Sequence, residues 1–158
     1  MKKFITYCAT LLLLCGLCAC GEAKQEETEG FSIKLVDELA EQGAFSEKLE
    51  MLDADTVFML YQFADYGLER EMLMDCMVLR SAGATCEEAA VLVWTTSEAM
   101  GSAHQALGDY MEDQIISNED YRPNEIPKLQ EARLGMKGNT TLLVVANDYG
   151  VVSQVLNK

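Results

Sequence analysis

The stretch "EAAVLVW", residues 88–94, is apolar at both alternating sets of positions: Ala89, Val91 and Val93 in one, Ala90, Leu92 and Trp94 in the other. Successive side chains of a strand point to opposite faces of a sheet. A strand with two apolar faces does not sit against water; it is central and covered on both sides. The rest of the chain must therefore supply neighbouring strands and packed helices.

Two hairpins are legible. "MLMDCMVLR", residues 72–80, alternates Met72, Met74, Cys76 and Val78 with Leu73, Asp75, Met77 and Leu79. It leads through "SAGATC" and its turn glycine, Gly83, into the central strand. "ARLGMK" and "TTLLVVA" flank Gly138-Asn139, a strong hairpin signal. A first turn centred on Ala82-Gly83 places Cys76 opposite Ala89 and Cys86 opposite Leu79. The two cysteine α-carbons would then lie about 10 Å apart at 3.3 Å per residue, beyond the about 7 Å a disulfide tolerates. A turn centred on Ser81 would set them opposite and permit a bridge. The expectation adopted is two free, buried thiols.

Helices fill the remaining pattern. "SIKLVDELAEQG" offers Ser32 as a cap, Leu35, Val36, Leu39 and Ala40 as one face, and Gly43 as a stop. "EKLEML" suits a short strand. "DADTVFMLYQFADYG" opens on an aspartate cap, shares Val57, Leu60, Tyr61 and Ala64 on a face, and ends at Gly67. Thr95 and Glu98 have capping-box spacing ahead of a long helix striped by Met100, Leu107, Met111 and Ile115, with His104 filling the missing step. "NEDYRPNEIPKLQEA" holds both prolines of the chain and cannot be regular helix throughout. "YGVVSQVLNK" closes the chain as a short helix. Hairpins separated by a long helix predict an α+β fold, an antiparallel sheet with helices packed on it.

The N-terminal segment carries an address. Lys2 and Lys3 precede a nearly all-apolar run from Phe4 to Leu17. Those 14 residues fall short of the about 20 that a membrane-crossing helix needs, and a basic start with a short apolar run reads as an export signal. Leu17-Cys18-Ala19-Cys20 resembles a bacterial lipobox, which implies cleavage after Ala19 and lipidation of Cys20. Two or more acyl chains anchor firmly, at about 0.8 kcal/mol per buried methylene. The expected organisation is a signal peptide over 1–19, an acidic flexible tether over 20–30, and one domain over 31–158. Residues 1–19 contain two lysines and no acid, so their removal takes the net charge from −14 to −16. Such a domain repels nucleic acid and anionic headgroups.

"CEEAAVLVW", "YRPNEIPKLQEA" and "KGNTTLLVVANDY" resemble domain-of-unknown-function family 4358, found largely in lipoproteins of Gram-positive bacteria. Matching positions include Glu88, Tyr121, Pro123, Lys128, Gly138 and Asn139; Thr140 departs from the aromatic often found after Gly-Asn. The resemblance implies a lipoprotein context and no activity, cofactor or catalytic residue.

The residues themselves offer little chemistry. The chain has one histidine, His104, on or beside an apolar stripe, where a core or boundary role is the ordinary one. No nucleophile elbow, phosphate loop or His-Glu-x-x-His is present. Acidic pairs such as Glu87/Glu88 and Asp109/Glu112 read as solvated faces in so acidic a chain. Met72, Met74 and Cys76 on one strand face would suit Cu(I), or fill an irregular core; the core role is expected, with no metal. The segment from Asn118 to Gln130 is either a strap over the sheet edge or an interaction surface. For the latter, Tyr121 would be a rigid anchor, with Arg122 and Lys128 as positive points for an acidic partner. The functional expectation is a lipid-anchored, extracytoplasmic, non-enzymatic binding or accessory module of the cell envelope, touching the membrane through Cys20 and an envelope protein through this segment. A copper carrier and a small envelope enzyme are the alternatives.

Overall fold

Residues 29–158 are described by a computed structural model; the expected signal segment, Cys20 and most of the expected tether lie outside the described residues. The architecture is α+β. Five antiparallel strands lie in the order β1-β2-β3-β5-β4: β1 (Glu50–Met51), β2 (Leu73–Arg80), β3 (Glu88–Trp94), β4 (Arg133–Lys137) and β5 (Thr140–Val145). The doubly apolar run is indeed the middle strand. One face carries α2 (Ala54–Leu60), the long α3 (Ser97–Asn118) and α4 (Ile126–Gln130); the other carries α1 (Lys34–Glu41) and α5 (Tyr149–Leu156).

Each face of β3 enters its own core. Ala90, Leu92 and Trp94 meet Tyr61, Phe63, Leu107 and Leu143. Ala89 and Val91 meet Val36, Leu39, Leu142 and Val152. Burying a residue such as Phe63 contributes about 1.5–3 kcal/mol. Its edge-on packing against Trp94, with ring centroids 5.0 Å apart at 89°, adds about 0.5–1.5 kcal/mol. The buried indole N–H of Trp94 donates to Thr141 Oγ1 at 3.2 Å. Small residues Ala99, Ala103 and Ala106 let α3 lie close to the sheet.

The Gly138-Asn139 turn forms as read. Gly138 takes φ +58°, a region open to glycine at little cost. Asn139 then bonds both the N–H and the C=O of Trp94. Asp53 caps α2 by accepting from Asp55 and Thr56. Gly43, at φ +81°, and Gly67, at φ +74°, end their segments.

Several local expectations are corrected. The cap of α3 is Thr96, which accepts from Ala99 N–H, rather than Thr95. Ala40 and Ala64 are exposed: α2 stops at Leu60, Gln62 turns left-handed at φ +53°, and Phe63 takes the buried place. The first hairpin is offset by three from the tight-turn register. Cys76 pairs with Leu92 and Leu79 with Ala89, because residues 81–87 form a longer connection in which Ser81 Oγ accepts from Gly83 and Thr85 N–H. Cys76 and Cys86 are free thiols as expected, but half-buried rather than buried. A bulge between Leu73 and Asp75 leaves Met74 unpaired and 64% exposed. The proposed Met72/Met74/Cys76 face therefore does not exist: the extra residue in β2 breaks the alternation.

Candidate functional site

The polar centre of the molecule lies at the start of β3, where Glu87 and Glu88 send their carboxylates to opposite sides of the sheet. Both are buried, contrary to the solvated face expected of them. Glu88 pairs in register with Arg80 of β2 and points between α2 and α3. Its Oε1 accepts from Tyr61 Oη. Its Oε2 accepts from Tyr110 Oη at 2.8 Å and Arg80 Nε at 3.1 Å. Burial pushes the Glu88 carboxyl above the ordinary carboxylate range, although the tyrosine bonds and the Arg80 charge pull the other way. Burial first, and then the Glu88 charge, drives the Tyr61 and Tyr110 phenols far up. Both tyrosines remain protonated donors. Glu88 thus has its oxygens taken by internal donors and none turned to solvent.

Glu87 faces the other way. Its Oε2 accepts from Ser46 N–H at 2.7 Å, and its Oε1 from Ser46 Oγ at 2.5 Å and Lys128 Nζ at 2.7 Å. Lys128 also reaches Glu125 Oε1 at 3.2 Å, and Glu125 Oε2 accepts Cys86 N–H at 2.9 Å. Burial works to lower the Lys128 pKa, but the bonds and charges of Glu87 and Glu125 outweigh it and hold the ammonium above its usual value. A serine–lysine nucleophile needs a neutral amine as its base. Lys128 beside Ser46 is instead a fixed counterion.

The three residues expected to form one binding surface are placed differently. Arg122 ties its own segment to the β2–β3 connection. Its Nε donates to Asn118 Oδ1 at 2.7 Å, and its Nη1 to Gly83 O and Thr85 O at 3.1 and 3.0 Å. Lys128 is the ion-pair partner just described. Only Tyr121 projects freely, 81% exposed, with the Arg122 guanidinium 5.8 Å from its ring centroid. Residues 118–130 therefore brace the loop entering β3. His104 is half-buried on α3. Among the described residues no group of three His, Cys, Asp or Glu side chains could hold a metal.

A second feature adjoins the Glu88 network. Tyr61, Gln62, Tyr66, Asp109, Tyr110 and Asp113 line a cleft of about 30 Å³, enough for about one water molecule and far below the roughly 300 Å³ of a small-molecule pocket. Tyr66 Oη donates to Asp109 Oδ2 at 2.6 Å. That bond, helped by partial desolvation and the nearby carboxylates, pushes the Tyr66 phenol to about 12. Sequence reasoning missed Tyr61, Arg80, Tyr66 and Tyr110. The one signal for the buried pair is position, since two carboxylates abut a strand apolar on both faces.

No family model, no curated protein sequence and no solved structure matches this chain. Among the described residues, no helix is long and apolar enough to cross a membrane.

Proposed function

We propose that the chain is an extracytoplasmic lipoprotein held to the cell membrane through Cys20, serving as a non-enzymatic binding or accessory module of the envelope. The observation that carries the binding role is the contrast within one segment. Arg122 and Lys128 are consumed by internal bonds, while Tyr121 is held 81% exposed on that rigid support, five positions after Ile116, itself 69% exposed. A preorganised aromatic loses little entropy on docking, and tyrosine is enriched among residues that dominate binding energy. The closure of Glu87 and Glu88 by internal donors supports a role without catalysis. The lipobox-like "LCAC" ending supports the anchor, and the resemblance to family 4358 fits the same setting.

Two experiments test this reading. Cys20→Ser should abolish acyl labelling and leave an uncleaved precursor; normal processing with lipid still attached would refute the anchor. A photo-crosslinking amino acid at position 121 should capture a defined envelope protein in cells. Ile116→Ser should remove that adduct while leaving the melting temperature unchanged. An adduct indifferent to Ile116→Ser, or none at all, refutes the interaction surface. Arg122 is unsuitable for this test because its loss would loosen the β2–β3 connection.

A further inference from the structure

We propose that the outer edge of β4 takes up an extended segment of another protein as an added strand, one with carboxylates at both ends of the paired stretch. This goes beyond the reading above and uses none of the residues of the Tyr121 surface. β4 ends the sheet, and among the described residues it pairs only with β5. The register shows which of its backbone groups are left over. Asn139 C=O accepts Trp94 N–H, and bonded and non-bonded positions alternate along an antiparallel ladder. Thr141 and Leu143 therefore bond to β3, while Thr140, Leu142 and Val144 bond to β4 through Lys137, Gly135 and Arg133. Leu134 and Met136 are left with both N–H and C=O turned outward. Two donors and two acceptors in a row are a template for strand addition.

Charge selects the occupant. Arg133, Gly135 and Lys137 share one face by alternation. Both cations are exposed, and neither joins an ion pair among the described residues. Arg133 lies over the Tyr149 ring, 5.0 Å from its centroid, and gives Nη1 to Glu131 O, which leaves the rest of its fork for a carboxylate. A second copy of the chain does not suit this edge. In the antiparallel alignment that sets Leu134 against Met136 of a copy, Arg133 stands opposite Lys137 at both ends, and like charges directly opposite are destabilising. An acidic strand reverses the sign at the same two places. Between them, a side chain opposite Gly135 meets the Phe31 ring, which lies 3.4 Å from where a β-carbon of residue 135 would stand. On the other face Leu134 and Met136, the latter 48% exposed, offer apolar contact. The fitting pattern is acidic, apolar, small, apolar, acidic.

The test uses the full chain in detergent micelles at low salt, read by backbone NMR and amide exchange. In the free chain the Leu134 and Met136 amides should exchange at least about tenfold faster than that of Gly135. Equal protection would mean that a copy or the chain's own N-terminal segment already fills the edge, and would overturn the proposal. The probes are end-capped Glu-Val-Thr-Val-Glu, Lys-Val-Thr-Val-Lys and Glu-Pro-Thr-Pro-Glu. The first should slow both exposed amides and bind about tenfold more tightly than the lysine probe. It should also bind at least about tenfold more tightly than the proline probe, which keeps the charges and lacks N–H at the two bonding positions. Lys137→Glu should weaken the first probe about fivefold with an unchanged melting temperature, while Lys48→Glu, just before the opposite edge strand β1, changes it by less than about twofold. Shifts that bypass Leu134 and Met136, no preference for the acidic probe, equal binding of the proline probe, equal losses in both variants, or no binding would each overturn the proposal. The binding-module reading is judged separately, by the crosslink at Tyr121.

Discussion

Lys128→Met isolates the contribution of the ion pair behind the sheet. The methionine keeps the length of the side chain and removes only the charge and its donors. Nζ sits 2.7 Å from Glu87 and 3.2 Å from Glu125. At an effective dielectric of about 20, a unit pair at that nearer distance attracts by about 6 kcal/mol before any desolvation is subtracted. Removing one member of a buried pair costs about 3–5 kcal/mol, because the other charge stays behind unpaired. Two features soften this. Ser46 still donates twice to Glu87, and the Lys128 side chain is 18% exposed, so the expected loss is about 3 kcal/mol. Urea denaturation should show a lower midpoint at constant slope, with the melting temperature falling by roughly 10 °C. Combining Lys128→Met with Glu87→Gln should recover at least about half of the loss, since a neutral pair leaves no buried charge. A single-variant loss under about 1 kcal/mol, or strict additivity in the double variant, would show that Glu87 is solvated.

Three further outcomes are expected. Burial raises the folded-state pKa of Glu88 above 4.5, so the stability of the wild type relative to Glu88→Gln should be greatest below that pH and shrink as pH rises through the folded value; paired denaturation curves would show it, and a difference that grows with pH would refute it. Thr141→Val leaves the Trp94 indole N–H without its acceptor and should cost about 1–3 kcal/mol, whereas Thr141→Ser keeps the acceptor and should lose only about 0.5–1.5 kcal/mol for the buried methyl. Met74→Ala should change stability by under about 0.5 kcal/mol, because the bulge turns Met74 to solvent; a loss of 2 kcal/mol or more would place it in the core.

The order of elements is legible in the amino-acid pattern because each depends on local chemistry. The two-sided apolar run demands a covered strand, Gly138-Asn139 demands a tight turn, and Asp53 caps whatever helix follows it. What is illegible depends on contacts distant in sequence. Met74 and Asp75 alternate correctly, and only the pairing of Leu73 with Trp94 reveals the extra residue. Thr95 and Thr96 are both able caps, and the strand end decides between them. The acidic composition makes any carboxylate look solvated, while the partners that bury Glu88 arrive from Tyr61, 27 positions before it, and Tyr110, 22 positions after. Lys128 looks free for the same reason, its partner Glu87 being 41 residues away.

The opposed carboxylates also bear on how β3 finds its alignment during folding. Alternation normally specifies register, since a slip by one residue exchanges the buried and wet faces. A strand apolar on both faces forfeits much of that discrimination: Ala89 to Val93 could slide by one position and still meet hydrocarbon on either side. Glu87 and Glu88 restore it, because each fits a different receptor, one holding an ammonium and the other two phenols and a guanidinium. A one-residue slip would carry both charges away from their donors, at several kcal/mol apiece. The pair acts as a proofreading mark that admits one alignment of the central strand and rejects its neighbours.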